Sequence, residues 1–385
     1  MTQTQENNVP ALRFPEFSGE WVKERLGTGI ELISGQHLSP NEYSKVAGET
    51  PYFTGPSDFT NEAGQLTKWT TVASKNAHFG DVLITVKGSG VGELWYLELP
   101  IVAMGRQLMA IKGKTLRSDL VFQFLSTQRN YLAALAAGNM IPGLARNDLL
   151  KIKVRLPLDP EEQQKIAAFL SSVDCKIAQL GQKKALLQRY KKGMMQQLFS
   201  QELRFKDAQD HDFPDWKEKR LGEVVSIRKG QQLNRDDMIE HGVFPVINGG
   251  QAPSGYTNVS NSRKGVITIS EGGNSCGFVA WQEFEFWLGG HCYSLKLESK
   301  EDNEQFLFQE LKSIQPLIMR LRVGSGLPNI QKKDLLKLKV FMPPRPEQQK
   351  IADFLSSIDR KIDLVSAELD HAKTFKKGLL QQMFI

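Results

Sequence analysis

The sequence has 385 residues, of which 40% are hydrophobic and 24% charged, proportions close to those of ordinary globular proteins. It contains no run of about 18 apolar residues and opens without the basic and apolar segments of a signal peptide, so we expect a cytoplasmic protein with no membrane contact. The net charge of +6 permits a polyanionic partner but favours one only weakly. The length predicts two domains of about 150 residues with additional structure.

Each half of the chain contains short strand-like runs bounded by glycine, and a helical stretch follows them. In chain order these are runs at 82–86 and 108–111 with a helical stretch near 118–136, then runs at 265–269 and 292–295 with a helical stretch near 302–322. This pattern predicts two β-rich globular parts.

A long helix is predicted after each globular part. In the first copy Asp159 is placed to cap the helix and Pro160 suits its first position, while Glu161 and Glu162 suit its positive end. The second helix begins in the same way near Pro346. A helix of about 40 residues is roughly 60 Å long.

The chain contains an internal duplication. Positions 162–199 and 347–384 are identical at 19 of 38 places without a gap, beginning EQQKIAAFLSS and EQQKIADFLSS. Earlier segments match as well: WVKERLG at 21–27 matches WKEKRLG at 216–222. The globular parts diverge while the helical segments agree, which predicts a shared scaffold that carries two different heads.

Apolar residues recur every seven positions in both long helices, which is typical of a coiled coil. The candidate helix contacts are Ile166, Leu170, Val173, Ile177, Leu180 and Leu187 in the first helix and Ile351, Leu355, Ile358, Ile362, Val365 and Leu369 in the second. We predict an α+β chain in which two similar β-rich mixed domains are joined by two long helices that form an antiparallel coiled coil, with a pseudo-two-fold repeat. In the alternative, each helix packs only on its own domain, which would leave apolar rows exposed.

These patterns divide the chain into four segments. They are a first globular domain at 1–157, a central long helix at 158–205, a second globular domain at 206–342 and a C-terminal long helix at 343–385.

The templates for catalysis and metal binding fail on this sequence. The glycines at 88–92 lack the last glycine of a dinucleotide fingerprint, and 113–115 lacks the first glycine of a P-loop. HExxH, GxSxG and Asn-Pro-Pro-aromatic motifs are absent, the three cysteines show no CxxC spacing and the six histidines are scattered. We therefore assign no catalytic or metal-binding residue and predict a chain that is not an enzyme.

Polar side chains beside the glycine-rich turns suit DNA recognition, because Arg and Lys pair with guanine edges, and Asn and Gln with adenine. The candidates are Tyr52, Lys87, Ser89, Arg106, Gln107 and Arg146 in the first domain and Asn248, Gln251, Arg263, Lys264, Asn274, His291, Asn329 and Lys332 in the second. By the duplication, Arg106 and Gln107 would correspond to His291 and Cys292. The alternative is that these are polar residues at strand edges or ordinary solvated charges.

Two copies of a motif that reads loosely Leu-Pro-x-x-x-Glu-Gln-Gln-Lys-Ile-Ala-x-Phe-Leu, at 156–170 and 342–355, each follow a variable glycine-rich domain. The opening LRFPEF at 12–17 has an echo in LRF at 203–205, and both helices end in KKGxxQQxF. With these features the whole chain resembles the specificity (S) subunit of type I restriction–modification systems.

That resemblance implies a division of labour. Each globular part would be a target recognition domain that reads one half of a bipartite, asymmetric site in double-stranded DNA. The helices would fix the spacer and dock two modification (methyltransferase) subunits, which would use S-adenosylmethionine to methylate adenine. Separate restriction and translocase subunits would use ATP and Mg²⁺, and this chain itself would hold no cofactor.

Two other functions stay open at this stage. One is a coiled-coil scaffold whose β-rich heads bind protein or glycan, which a salt-dependent, sequence-selective affinity for DNA would distinguish. The other is an unrecognised nuclease or methylase, which turnover by the isolated chain would reveal.

Overall fold

The computed structural model describes residues 9–72, 75–137, 143–324, 326 and 328–384. The described residues form two compact units, the first drawn from Met1–Gly181 with Glu368–Ile385 and the second from Gln182–Ala367. Within the described residues, no helix is both long and apolar enough to cross a membrane.

The first half of the chain alternates short strands with helices and ends in a helix of 40 residues. Its strands are β1 Val22–Arg25, β2 Ile30–Ser34, β3 Thr50–Phe53, β4 Trp69–Thr70, β5 Asn76–His78, β6 Val82–Thr85, β7 Leu94–Tyr96, β8 Ile101–Met104, β9 Leu108–Gly113 and β10 Lys153–Leu156. Its helices are α1 Leu26–Gly29, α2 Ser118–Thr127, α3 Arg129–Ala137, α4 Arg146–Leu150 and α5 Pro160–Phe199. The predicted strands and the predicted helical stretch are therefore confirmed.

The second half repeats this order, without a counterpart of β5 among the described residues. Its strands are β11 Lys217–Arg220, β12 Val225–Lys229, β13 Phe244–Ile247, β14 Tyr256–Thr257, β15 Val266–Ser270, β16 Val279–Gln282, β17 Trp287–Leu288, β18 Cys292–Leu297 and β19 Lys339–Met342. Its helices are α6 Leu221–Val224, α7 Glu304–Ser313, α8 Gln315–Arg320, α9 Lys332–Leu336 and α10 Arg345–Met383. The duplication seen in the sequence is thus a duplication of structure.

The first unit contains three small sheets. Their strand orders are β1-β10, β2-β9-β6-β7 and β4-β3-β8-β5. All pairings are antiparallel except that of β3 with β8, which run parallel. The second unit has the equivalent sheets β11-β19, β12-β18-β15-β16 and β14-β13-β17, and there β13 and β17 are the parallel pair.

The long helices belong to both units, since each unit takes the first part of one helix and the last part of the other. In the first unit, Ile166 and Leu170 of α5 share a core with Leu379 and Met383 of α10. In the second unit, Leu198 of α5 shares a core with Ile351, Leu355 and Ile358 of α10. In each unit the residue numbers rise along one helix as they fall along the other, so the segments are antiparallel.

The predicted pairing of the helices is confirmed. The alternative, that each helix packs on its own domain, is compatible with it, because both kinds of contact occur. The first turns of each helix are embedded in the core of their own domain, and they also meet the end of the other helix. Among the remaining candidate contacts, Leu180, Val365 and Leu369 are buried, whereas Val173, Ile177, Leu187 and Ile362 are half-buried.

The Glu-Gln-Gln motif that opens each long helix fastens it to its domain. Glu162 is 2% exposed, and it accepts hydrogen bonds from Arg13 Nε at 2.6 Å and from Trp21 Nε1 at 3.2 Å. Glu347 is 0% exposed and accepts bonds from Arg204 and Trp216 in the same way. These carboxylates therefore anchor the segment that leads into each domain, a role that the charge of the helix N-terminus does not predict. The predicted cap is present as well, because Asp159 Oδ1 accepts from the backbone N–H of Glu161 at 2.9 Å.

Candidate nucleic-acid interface

In the first unit, four loops converge where the parallel strands β3 and β8 end. The backbone N–H of Gly105, just after β8, donates to Phe53 O at the end of β3, at 2.8 Å. Val86 N–H donates to Gln107 O at 2.7 Å, and Leu144 N–H donates to Val86 O at 2.9 Å. We call the surface formed by residues 54–55, 87–90, 105–107 and 143–146 loop cluster 1. Backbone bonds fix it, so its side chains project from a rigid base.

Loop cluster 2 is the equivalent surface of the second unit, formed by residues 248–251, 271–274, 289–291 and 328–332. Gly289 N–H donates to Ile247 O at 2.8 Å, and Glu271 N–H donates to His291 O at 2.9 Å. Ile330 N–H donates to Glu271 O at 2.8 Å. Each of these bonds has its counterpart in loop cluster 1, so the two surfaces share a backbone framework and differ in side chains.

This framework corrects the correspondence that the sequence suggested. Because Val86 bonds to Gln107 as Glu271 bonds to His291, Gln107 is equivalent to His291, and Arg106 is equivalent to Gly290. The predicted match of Gln107 with Cys292 was therefore wrong by one residue. Cys292 is 1% exposed, and burial raises the pKa of its thiol to about 12, so it is a core residue.

Glycines allow the close approach of the chain at both clusters. A Cβ on Gly35 would lie 2.1 Å from Gly105 O, and one on Gly230 would lie 2.1 Å from Gly289 O. Gly249 has φ of 89°, and a Cβ there would lie 2.5 Å from His291 O. Only glycine fits such positions without displacing the neighbouring backbone.

An ion pair and a tyrosine support loop cluster 2, and sequence reasoning missed all three residues. Lys229 Nζ lies 2.7 Å from Glu271 Oε1, and Tyr293 OH donates to the same oxygen at 2.9 Å. Burial and the neighbouring carboxylate raise the pKa of Tyr293. Lys229 belongs to a Lys-Gly-Gln triplet that matches Ser34-Gly35-Gln36 in the first half of the chain. This match is the feature of the sequence that could have pointed to Lys229. Its side chain is 54% exposed at the edge of the cluster.

Most of the predicted DNA-binding residues are exposed members of the two clusters. They are Lys87, Ser89, Arg106, Gln107 and Arg146 in cluster 1 and Gln251, Asn274, His291, Asn329 and Lys332 in cluster 2. Arg146 and Lys332 occupy the same place in both units, the first residue of α4 and of α9. Asn248 is half-buried, and its Oδ1 accepts a bond from the backbone N–H of His291 at 3.1 Å, so it also holds the loops together.

Three of the predicted residues lie outside the clusters. Tyr52 is 3% exposed and packs against Leu38 and Ala103, so its ring is part of the core, and burial raises the pKa of its hydroxyl. Arg263 and Lys264 are exposed but precede β15, whereas loop cluster 2 follows it. A strand of five residues separates the two ends by about 17 Å. We therefore remove these three residues from the candidate interface.

The fold and the two clusters define a protein with two similar units, each of which combines β-rich sheets, a loop cluster and segments of both long helices. A family model described as the type I restriction modification DNA specificity domain matches residues 19–189 and 214–374, which is most of the chain and covers both copies. The chain belongs to this family.

Curated relatives and a solved structure agree with this assignment. The chain is 26% identical over 399 residues to the type I restriction enzyme MjaVIII specificity subunit of Methanocaldococcus jannaschii, covering 96% of this chain and 92% of that protein. It is 23% identical over 375 residues to a putative type I specificity subunit of Mycoplasma genitalium, with 94% of each covered. The crystal structure of a type I restriction–modification S subunit from M. genitalium has the same fold, with a TM-score of 0.75 at 21% identity over 98% of this chain and 99% of that one.

Proposed function

We propose that each unit reads one half of a bipartite DNA site through its loop cluster. The observation that carries this proposal is that one backbone framework presents different side chains in the two units. The equivalent positions hold Lys87 and Gly272, Ser89 and Asn274, Arg106 and Gly290, and Gln107 and His291. Two unlike surfaces on one scaffold suit an asymmetric site.

The side chains of each cluster suit base edges and phosphates. In cluster 1, Arg106 and Lys87 suit guanine, and Gln107 suits adenine. In cluster 2, Asn274 suits adenine, and Lys229 at the edge of this cluster suits guanine or a phosphate. The helix starts at Arg146 and Lys332 suit phosphates next to each half-site. These assignments explain why the clusters diverge although their framework is kept.

The helices, in this proposal, fix the spacer between half-sites and dock two methyltransferase subunits. Tyr190 and Phe375 occupy equivalent positions on α5 and α10, and each is 51% exposed. An exposed aromatic side chain repeated in both copies suits two identical partner subunits, because aromatic residues are frequent anchors of interfaces. S-adenosylmethionine would bind to these partners, and ATP and Mg²⁺ to further restriction and translocase subunits, so the chain supplies recognition alone.

Domain exchange tests the proposal. Residues 206–340 would be replaced by the matching segment of another family member, and the chain would be produced with its partner subunits in cells. Single-molecule sequencing would then map methylated adenines. We expect one half-site to change and the other to persist, because the exchanged segment contains loop cluster 2 and leaves loop cluster 1 intact.

The reciprocal exchange of residues 1–157 is the matched control, and it should change the other half-site only. Loss of both preferences in either chimera, when the chimera still supports methylation, would contradict the proposal. Methylation at the original sequences in both chimeras would contradict it equally.

A further inference from the structure

Each unit contains one ion pair between the two long helices. In the first unit, Lys376 Nζ of α10 lies 2.6 and 2.8 Å from the carboxylate oxygens of Asp174 of α5. In the second, Lys191 Nζ of α5 lies 2.7 Å from both carboxylate oxygens of Asp359 of α10. The two pairs are equivalent under the duplication, so each helix gives the aspartate to one pair and the lysine to the other.

A buried glutamine completes each pair. Gln123 Nε2 donates to Asp174 at 2.8 Å, and Gln309 Nε2 donates to Asp359 at 3.0 Å. Both glutamines are 1% exposed, and the Oε1 of each is buried with no hydrogen-bond partner among the described residues. We call Gln123, Asp174 and Lys376 helix clamp 1, and Gln309, Asp359 and Lys191 helix clamp 2. The hydrogen bond from each glutamine adds to the attraction of the lysine in holding the aspartate at the contact between the helices.

The clamps explain two features of the sequence. Lys191 interrupts an apolar heptad row of α5, and the structure shows that it does so because it reaches Asp359. Each helix also carries two adjacent lysines near its end, at 191–192 and at 376–377. The first lysine of each pair is 15–16% exposed within a clamp, while the second, Lys192 or Lys377, is exposed to solvent.

The clamps favour one alignment of the helices more strictly than a heptad pattern of apolar residues does by itself. In a coiled coil, a helix that slides by seven residues, about 10 Å, brings apolar positions back to apolar positions. The residues seven positions before and after the two aspartates are Ala167, Gly181, Ala352 and Ser366. None carries a carboxylate, so such a shift would break both clamps. The aspartate and the lysine are 17 positions apart in each helix, so both clamps require the same alignment.

We propose that the two helix clamps fix the alignment of α5 with α10 and thereby determine the spacer length of the DNA site. Their six side chains are positioning residues, since in this proposal they act through the alignment of the helices. This inference rests on the proposed function, because a spacer has meaning only if both units read one duplex.

The test measures spacer preference. The full chain would be produced with its partner subunits in cells that carry a plasmid library, in which the two wild-type half-sites are separated by shorter, equal or longer spacers. Asp174→Asn with Asp359→Asn removes both charges and keeps side-chain size. We expect this variant to methylate neighbouring spacers, with its preference for the wild-type spacer reduced on the order of tenfold. Lys192→Met with Lys377→Met is the matched control, and it should keep the wild-type preference.

Charge reversal provides the rescue. Asp174→Lys with Lys376→Asp, combined with Asp359→Lys and Lys191→Asp, restores both pairs, and rotation of each glutamine amide would offer its Oε1 to the new lysine. We expect the wild-type spacer preference to return in this variant, even if the asparagine variant methylates no site. An asparagine variant with unchanged preference, or a reversed variant without recovery, would overturn the inference. If the wild-type chain specifies no bipartite site, the proposed function itself fails. If the wild-type chain does specify one and the variants do not behave as expected, only the inference about the clamps fails.

Discussion

Glu310 gives the second unit a stability that depends on pH. It lies in α7 with 3% of its surface exposed, and its Oε1 accepts one hydrogen bond, from the backbone N–H of Phe341 at 3.2 Å. Burial raises the pKa of this carboxyl from 4.5 to about 7, against a smaller opposing effect of the Phe341 bond. The substitution Glu310→Gln keeps the shape of the side chain and an oxygen that can accept the Phe341 bond, and it removes the titratable carboxyl group.

The sign of the pH dependence of stability follows from proton binding in the folded and unfolded states. Between pH 4.5 and about 7, the folded state holds a proton that the unfolded chain has released, so the free energy of unfolding of the wild type falls as the pH rises. Each pH unit of this interval corresponds to about 1.4 kcal/mol, which gives about 3 kcal/mol once the pH exceeds the folded-state pKa. Glutamine carries no such penalty, so the variant should be more stable than the wild type by that amount near pH 8.5.

Thermal unfolding of the two proteins at pH 5 and pH 8.5 measures this difference. For a unit of nearly 200 residues, about 3 kcal/mol corresponds to roughly 6–12 °C in Tm. We expect the advantage of the variant near pH 8.5 to shrink to less than about 1 kcal/mol at pH 5, close to the unfolded-state pKa. If the variant and the wild type differ in stability by the same amount at both pH values, the prediction is wrong. Such a result would show that burial does not hold Glu310 neutral.

Two further substitutions test the loop clusters and the helix anchors. Gly249→Ala places a Cβ 2.5 Å from His291 O at a residue with a positive φ, so it should destabilise loop cluster 2 by about 1–3 kcal/mol. In methylated-adenine sequencing, the preference for the second half-site alone should weaken. Gly64→Ala lies outside both loop clusters, meets no atom within 4 Å and should leave both half-sites unchanged, and equal effects of the two would contradict the steric argument. Arg204→Met leaves the fully buried carboxylate of Glu347 without its cation and should cost about 3–5 kcal/mol in urea denaturation. Combining it with Glu347→Met should cost less, and a double variant as unstable as the single one would show that packing dominates instead.

Local rules in the sequence predicted much of the fold. Asp159 and Pro160 marked the start of α5, and the heptad rows marked the two paired helices. The duplication predicted two like units because identical segments adopt identical local structure. The glycine-rich turns correctly indicated where the exposed loops lie.

Other properties needed the tertiary structure. Tyr52 is in a polar-looking loop region of the sequence, yet β3 places it in the core. Arg263 and Lys264 looked equivalent to the other candidates until β15 separated them from loop cluster 2. The one-residue offset between Gln107 and His291 became visible only through backbone bonds, because the diverged loops offer too few identities to align.

The repeat, the long helices and the family can be read from the sequence alone, because they depend on periodicity and on residues close together in the chain. Which distant residues meet is visible only in the folded chain. The parallel pairing of β3 with β8 and of β13 with β17 assembles the loop clusters, and the antiparallel helices bring Asp174 to Lys376 and Asp359 to Lys191. Strand order and helix alignment are set by burial summed over a whole unit. No local pattern encodes that sum.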